Sequence, residues 1–392
     1  MGWLVAHPMP SSMVVLSIHE KHISGEIQLP LGELQSAIGM AVNDRSDRLI
    51  ERLGDSLRVY LQKHIRPKSF EGKPWAVTLG SMKVVESTDR LVGLYKELVV
   101  QFEMSPPLHY DLRNFYFDYD VILHQVASHK ALISIKQDWQ QGIINEGDSP
   151  TDSTAQQVGI IEWDVVNNQL NPFQVSLQQG SVWTGFKSMV KLGMRHILAG
   201  TDHLLFLLTL LLPATLLLDN KRWGAFGGTK YSLVQLLKIV TAFTVGHSLT
   251  LLLGATQWVN IASQPIEVLI AVSILVSATH AIRPIFAGKE IFIAAGFGLI
   301  HGLAFANTLT NLQLNFKQMA LSILGFNVGI ELMQLFIIAL AIPFLIVLSK
   351  TRFYTVFRII GAIVAIIAAW GWIVERISGK GNFVTECIEN VI

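Results

Sequence analysis

The chain has 392 residues, 51% hydrophobic and 15% charged, with a formal net charge of +1 and a mean hydropathy of +0.44. That is too apolar for an ordinary soluble enzyme and too mixed for a bare membrane bundle. The near-neutral charge, without a basic patch, excludes general affinity for nucleic acid, and the single Cys387 excludes an intramolecular disulfide framework and disfavours a thiolate metal site.

Polar and apolar residues are segregated along the chain. Acidic, basic and turn-forming residues fill the part up to about Gln179, and long apolar runs come after it. The opening MGWLVA reads as the remnant of a signal-peptide apolar region over residues 1–6, although it lacks a basic start and full apolar length. The mature chain would then start at His7, with the polar block exported. Residues 7–180 read as a mostly-β, sandwich-like extracytoplasmic domain. Stretches 13–29, 75–84, 91–104, 115–135 and 159–175 alternate apolar and polar residues or are rich in Val, Ile, Tyr and Phe, with Pro, Gly and Asn between them. One helical insertion is expected between Asp44 and Ile65, where Leu49, Ile50, Leu53, Leu57, Val59, Tyr60 and Ile65 share a face. Residues 140–156 read as a loop. His7, His19, His22, His124 and His129 read as ordinary surface residues of this domain, with metal capture the weaker alternative.

Residues 181–376 read as a bundle of six transmembrane helices, with 377–392 as a tail. The first span contains KLGMRHILAGTDHLLFLLTLLL from Lys191, and the others cover 233–253, 266–285, 291–309, 319–348 and 356–374. With the first domain outside, the inner loops hold Lys221, Arg222, Lys230, Arg283, Lys289, Lys350 and Arg352, against Lys317 alone outside. The positive-inside rule favours that orientation, with Trp183, Trp258, Trp370 and Trp372 near the outer interface. The chain is thus expected in a bacterial cytoplasmic membrane.

Ionisable groups are expensive at membrane depth and are usually kept there to hold an ion, move a proton or do chemistry. The first span carries three. On a regular helix His196, Gly200 and His203 share a stripe, while Asp202 points about 120° away from His196. Both histidines can then reach one ion only if the helix is distorted or their side chains bend inward. Further polar groups fall at matching depths: Thr244, His247 and Ser248 in the second span, Glu267 at the outer end of the third, His301 in the fourth, and Asn327, Glu331 and Gln334 along a stripe of the fifth. Gly193, Gly200, Gly246, Gly298 and Gly302 would let backbones approach closely. Ser273, Ser277 and His280 form a stripe on the inner half of the third span and are candidates for an exit path.

Imidazole and carboxylate without thiolate suit a borderline divalent cation such as Ni²⁺, Co²⁺ or Zn²⁺, although Met194 and Met333 leave copper open. Neutral imidazole binds metal and imidazolium does not, so uptake should fall as external pH drops through the histidine range. No Gly-rich phosphate loop of the Walker type is present, so ATP is not expected as a partner.

The motif HILAGTDH, a His followed by five residues and then Asp-His, resembles the signature of the HupE/UreJ family of hydrogenase and urease accessory membrane proteins. GHSLTL, GLIHGLAFA and FNVGIEL resemble the branch with a large exported N-terminal domain, with weaker likeness in HPMPSS and FDYDVILHQVASHKALISI. The resemblance implies nickel or cobalt uptake, a link to metalloenzyme maturation, and metal-site roles for His196, Asp202 and His203, joined here by His247, His301 and Glu331. Two features depart from the pattern. The signature of small members, in which Phe-His-Ala precedes a Glu-His pair, is absent, and the broader nickel/cobalt permeases have four residues between the His and the Asp-His pair. The leading expectation is a divalent-metal permease. The alternatives are an intramembrane zinc hydrolase similar to alkaline ceramidases, and a membrane-anchored sensor or accessory protein.

Overall fold

The computed structural model describes residues 10–89, 93–144, 156–255, 263–312 and 314–381. The MGWLVA stretch, His7, Leu91, Trp258, Cys387 and positions 145–155 of the expected loop lie outside the described residues. Two compact units emerge, Met1–Gly185 and Phe186–Ile392.

The first unit is mostly β. It contains β1 (Ser12–Ile18), β2 (Ile23–Pro30), α1 (Leu31–Ile38), α2 (Leu49–His64), β3 (Ile65–Ser69), β4 (Ala76–Asp89), β5 (Gly93–Ser105), β6 (Asn114–Tyr119), β7 (Ala131–Asp138), β8 (Gln156–Ile161) and β9 (Phe173–Ser176). A larger sheet has the order β4-β5-β2-β1-β7-β8 and a smaller one the order β3-β6-β9. Only the β1–β7 pair is parallel; the other described ladders of both sheets are antiparallel. Alternation puts Leu16, Ile27, Phe102 and Ile133 of the larger sheet into one core with Ile65, Phe115, Phe117 and Val175 of the smaller.

Two helices pack on that core where one was expected. Helix α2 fills the expected insertion, with Leu57 and Leu61 buried. Helix α1, which buries Leu31 and Leu34 and ends on left-handed Gly39, was not foreseen. Its eight residues follow a strand directly and are too few to display a 3.6-residue period. The histidine expectation also needs correction. His129 is 3% exposed, with Nε2 2.7 Å from Ser12 Oγ and Nδ1 3.4 Å from Glu33 Oε2.

Of the second unit, α3 (Val182–Ala199) begins just before the division, and α4 (Thr201–Ala214), β10 (Leu216–Asp219), β11 (Arg222–Phe226), α5 (Thr229–Ala255), α6 (Ser263–Ile282), α7 (Glu290–Asn311), α8 (Phe316–Ser349) and α9 (Tyr354–Ser378) come next. Asn220 and Lys221 join β10 to β11 with φ of 44° and 61°, the twist that suits a two-residue hairpin.

Among the described residues four helices, α5, α6, α8 and α9, are long and apolar enough to cross a membrane, or five if α3 and α4 count as one bent span. Six were expected. The shortfall lies in α7, whose described apolar part covers only Glu290–Ala306. The expected tryptophan belt also divides, because Trp370 is 54% exposed while Trp372 is 6% exposed and lies in the helical core.

Candidate metal centre

The first span is not one helix. It breaks at Gly200, whose φ of −79° and ψ of 96° are extended, and α3 and α4 meet at a 73° bend. Hydrogen bonding restarts across the break, with Gly200 N–H donating to His196 O at 3.1 Å and Leu204 N–H to Gly200 O at 3.1 Å. A Cβ on residue 200 would meet His203 Nδ1 at 2.6 Å and His196 O at 2.9 Å. Glycine is therefore required by close approach. The bend replaces the expected stripe geometry and brings the His196 and His203 rings to 4.6 Å between centroids.

Asp202 sits in the first turn of α4, where the helix dipole favours a carboxylate. Its Oδ1 is 2.9 Å from both the backbone N and the Nδ1 of His203. With Nδ1–H donated to the carboxylate, the lone pair of His203 lies on Nε2, which is buried without a partner. His301 reaches the same state through its other nitrogen. The Ser273 hydroxyl donates to Ile270 O at 2.6 Å, so it accepts from His301 Nε2 at 3.0 Å. Nδ1 of His301 is left with the lone pair, again buried and unpartnered.

The His203 and His301 rings are 5.0 Å apart, and His247 is 6.3 Å from His196. Two imidazoles sharing a tetrahedral ion at about 2.1 Å have centroids about 5 Å apart, so the His203–His301 separation is the right size, whereas His247 and His196 stand too far apart to share one. Among the described residues, Nε2 of His196 and both nitrogens of His247 have no close hydrogen-bond partner, although Asn327 lies beside His247. Among the described residues, however, no three His, Cys, Asp or Glu side chains are grouped to hold an ion as they stand.

The other expected site residues are placed elsewhere. Glu331 accepts hydrogen bonds from Thr241 at 2.8 Å and Thr244 at 2.6 Å, with Gln334 Oε1 3.3 Å from Thr244; among the described residues its contacts reach no histidine. Asn327 Nδ2 donates to Ile323 O at 2.8 Å, and its side chain also lies beside His247. The Ser248 hydroxyl donates to its own helix at Thr244 O. Glu267 is half-exposed and pairs with Arg376. On α6, Ser277 Oγ is buried without a partner, and His280 Nε2 lies 3.8 Å from Glu290 in a separate cavity.

Close helix approaches hold the cluster in place. A Cβ at Gly193 would strike Phe326 O, one at Gly246 would strike Ala295 O, and one at Gly298 would strike Phe243 O. At Gly302 it would strike the Thr250 hydroxyl, and Gly329 on α8 answers Gly193 by approaching Val190 O. Each such crossing needs a residue without a side chain.

A family model described as HupE / UreJ protein matches residues 173–376, just over half of the chain. The chain belongs to the HupE/UreJ family. No curated protein and no solved structure shows significant similarity. The family match covers α3 to nearly the end of α9, so every residue of the imidazole cluster in this HupE/UreJ protein lies inside it.

Two features of the HupE/UreJ cluster escaped sequence reasoning. Phe206, Phe243, Phe305 and Phe326 surround the imidazoles at 5.0 to 6.2 Å between ring centroids. Their spacing reads equally well as ordinary lipid-facing or core packing. Arg376, near the end of α9, has Nη2 3.9 Å from Asp202 Oδ2 and Nε 3.5 Å from Glu267 Oε2. The signal available was a cation closing a span beside unpaired carboxylates at matching depth.

Proposed function

We propose that this HupE/UreJ protein is a divalent transition-metal permease of nickel or cobalt type, in a bacterial cytoplasmic membrane with its β-rich unit outside. The observation that carries the reading is the pair His203 and His301. Each imidazole has one nitrogen engaged by a neighbour and the other buried with a free lone pair. Buried unpartnered acceptors cost on the order of 1–3 kcal/mol each, so a chain that keeps several together uses them.

The ion approaches past Glu267 and Asp202. Ring rotation turns nitrogen donors of no more than two or three of His203, His301, His196 and His247 onto it at a time, because the His203–His301 and His196–His203 ring separations suit an ion while the donor atoms do not yet converge. Glu331, with Thr241, Thr244, Asn327 and Gln334, provides a polar step one helical turn away. Departure follows Ser273, Ser277 and His280 towards Glu290. Transport stays weakly binding at each step because an ion held by a complete cage would not leave. The partners are the bilayer, the metal ion, and the metalloenzyme maturation machinery that consumes it.

The test is uptake of radioactive Ni²⁺, Co²⁺ and Zn²⁺ into vesicles carrying the wild type, Asp202→Asn or His203→Ala. Saturable uptake of Ni²⁺ or Co²⁺, lost in both variants, is the expected result. Absence of flux for every ion, with stoichiometric zinc retained by the purified protein, would overturn it.

A further inference from the structure

The two oxygens of Asp202 face different partners. Oδ1 engages His203, and Oδ2 faces the guanidinium of Arg376 at 3.9 Å. We infer that Arg376 is a tethered competitor of the transported cation: its guanidinium neutralises Asp202 while the site is empty and moves aside when a divalent ion arrives. The inference rests on the permease reading and deepens it by naming what the ion must displace.

Arg376 reaches Asp202 with its guanidinium and, with Gln264, Glu267, Trp372 and Glu375, lines a cavity of about 510 Å³ among the described residues. An ion reaching Asp202 from that cavity meets the guanidinium first. Arginine stays protonated, so its charge leaves the carboxylate only if the side chain moves. The contact is loose enough to allow this. At 3.9 Å the Asp202 pair is at the limit of an ion pair, whereas Glu267 lies closer at 3.5 Å. The Trp372 ring, 5.7 Å from the guanidinium, offers an aromatic face on the same side. Among the described residues, Nη1 of Arg376 and Oε2 of the adjacent Glu375 are buried without a hydrogen-bond partner, so no described group ties either atom to its present position.

The main chain there is held independently of the guanidinium. Gln264 Nε2 donates to Arg376 O at 2.6 Å, and Gly379 N–H caps Glu375 O at 2.8 Å. Replacing the side chain should therefore leave the end of α9 in place.

A competitor and a support make opposite predictions. If Arg376 merely supports Asp202, its removal weakens metal binding. If it competes, removal strengthens binding. The experiment is equilibrium dialysis of purified full-length protein against Ni²⁺ alone and Co²⁺ alone, for the wild type, Arg376→Gln, Arg376→Lys and Asp202→Asn. Arg376→Gln should bind about fivefold tighter than wild type, as expected for loss of one partly exposed ion pair, with Arg376→Lys within about twofold of wild type. Unchanged or weaker binding by Arg376→Gln, with wild-type binding that depends on Asp202, overturns the competitor and leaves the permease reading standing. Absence of Asp202-dependent binding in the wild type overturns both.

Discussion

Nδ1 of His203 lies 2.9 Å from Oδ1 of Asp202, its immediate neighbour in the chain. Successive side chains of a regular helix diverge by about 100°, which separates their ends. Here both residues lie in the first turn of α4, just past the break at Gly200, and the carboxylate folds back onto the ring and the backbone N–H of His203. The contact assigns the His203 lone pair to Nε2, the nitrogen that a metal would take.

Asp202→Asn tests that assignment. The amide retains an acceptor of the same size but loses the charge that holds the Nδ1–H tautomer of His203. Nickel or cobalt affinity should fall by about 10- to 100-fold, the usual effect of removing a carboxylate behind a ligating histidine. Calorimetric titration of the purified protein would measure it. Affinity equal to wild type would rule out the positioning role of Asp202.

Gly200→Ala probes the bend. Alanine tolerates the backbone angles of residue 200, so strain in φ is not at issue. The obstacle is the new Cβ, 2.6 Å from His203 Nδ1 and 2.9 Å from His196 O. Metal uptake should drop by about tenfold or more as the rings are forced apart, whereas thermal unfolding should shift by only a few degrees, as for a loss of about 1 kcal/mol. Gly296→Ala is the control, since its Cβ would meet open space, and it should transport normally. Equal effects of the two changes would remove the special role of Gly200.

The two serines of α6 should behave differently. Ser273 fixes the His301 ring at 3.0 Å, so Ser273→Ala frees the ring and leaves both of its nitrogens unpartnered, reducing affinity by about tenfold. Ser277 Oγ has no partner among the described residues. Ser277→Ala removes a buried unsatisfied hydroxyl and should leave stability unchanged or raise it by up to about 1 kcal/mol. A large loss of uptake on Ser277→Ala would show that the hydroxyl meets the ion in transit.

How much of this was legible depended on how far each signal reached along the chain. The change from a polar first part to long apolar spans near Gln179 follows from composition alone, because hydropathy accumulates over about 20 residues. The β-rich unit showed itself through alternation in stretches such as Ser12–Ile18. The histidines were found because His196, His203, His247 and His301 are improbable in apolar helices. Their arrangement was not legible. It depends on the angle of one bond pair at Gly200, which regular-helix geometry places incorrectly. Glu331 was grouped with the histidines on depth, yet its azimuth turns it towards Thr241 and Thr244. Arg358, inside the expected sixth span, went unremarked, although it reaches the final carbonyls of α6 at Ala281 and Ile282.

His64 gives the β-rich unit a pH dependence of its own. The ring is buried at the end of α2, with Nδ1 2.8 Å from Asp120 Oδ1 and its face stacked on His124 at 4.2 Å. Arg66 lies 3.2 Å from the same carboxylate. Burial pushes the imidazole below its ordinary range and outweighs the hydrogen bond and charge of Asp120, which pull it up; His124 and Arg66 add smaller downward pushes. The folded state therefore binds fewer protons here than the unfolded state as pH falls through the ordinary histidine value. This contribution to stability is present above about pH 6.5 and is lost below it, towards the lower folded-state value. Hydrogen exchange of α2 and β3 amides in the full-length chain, corrected for intrinsic rates, should show protection falling between about pH 7 and 5. His64→Gln should flatten that slope. Protection that holds constant in the wild type across this range would rule His64 out as the acid-sensitive element.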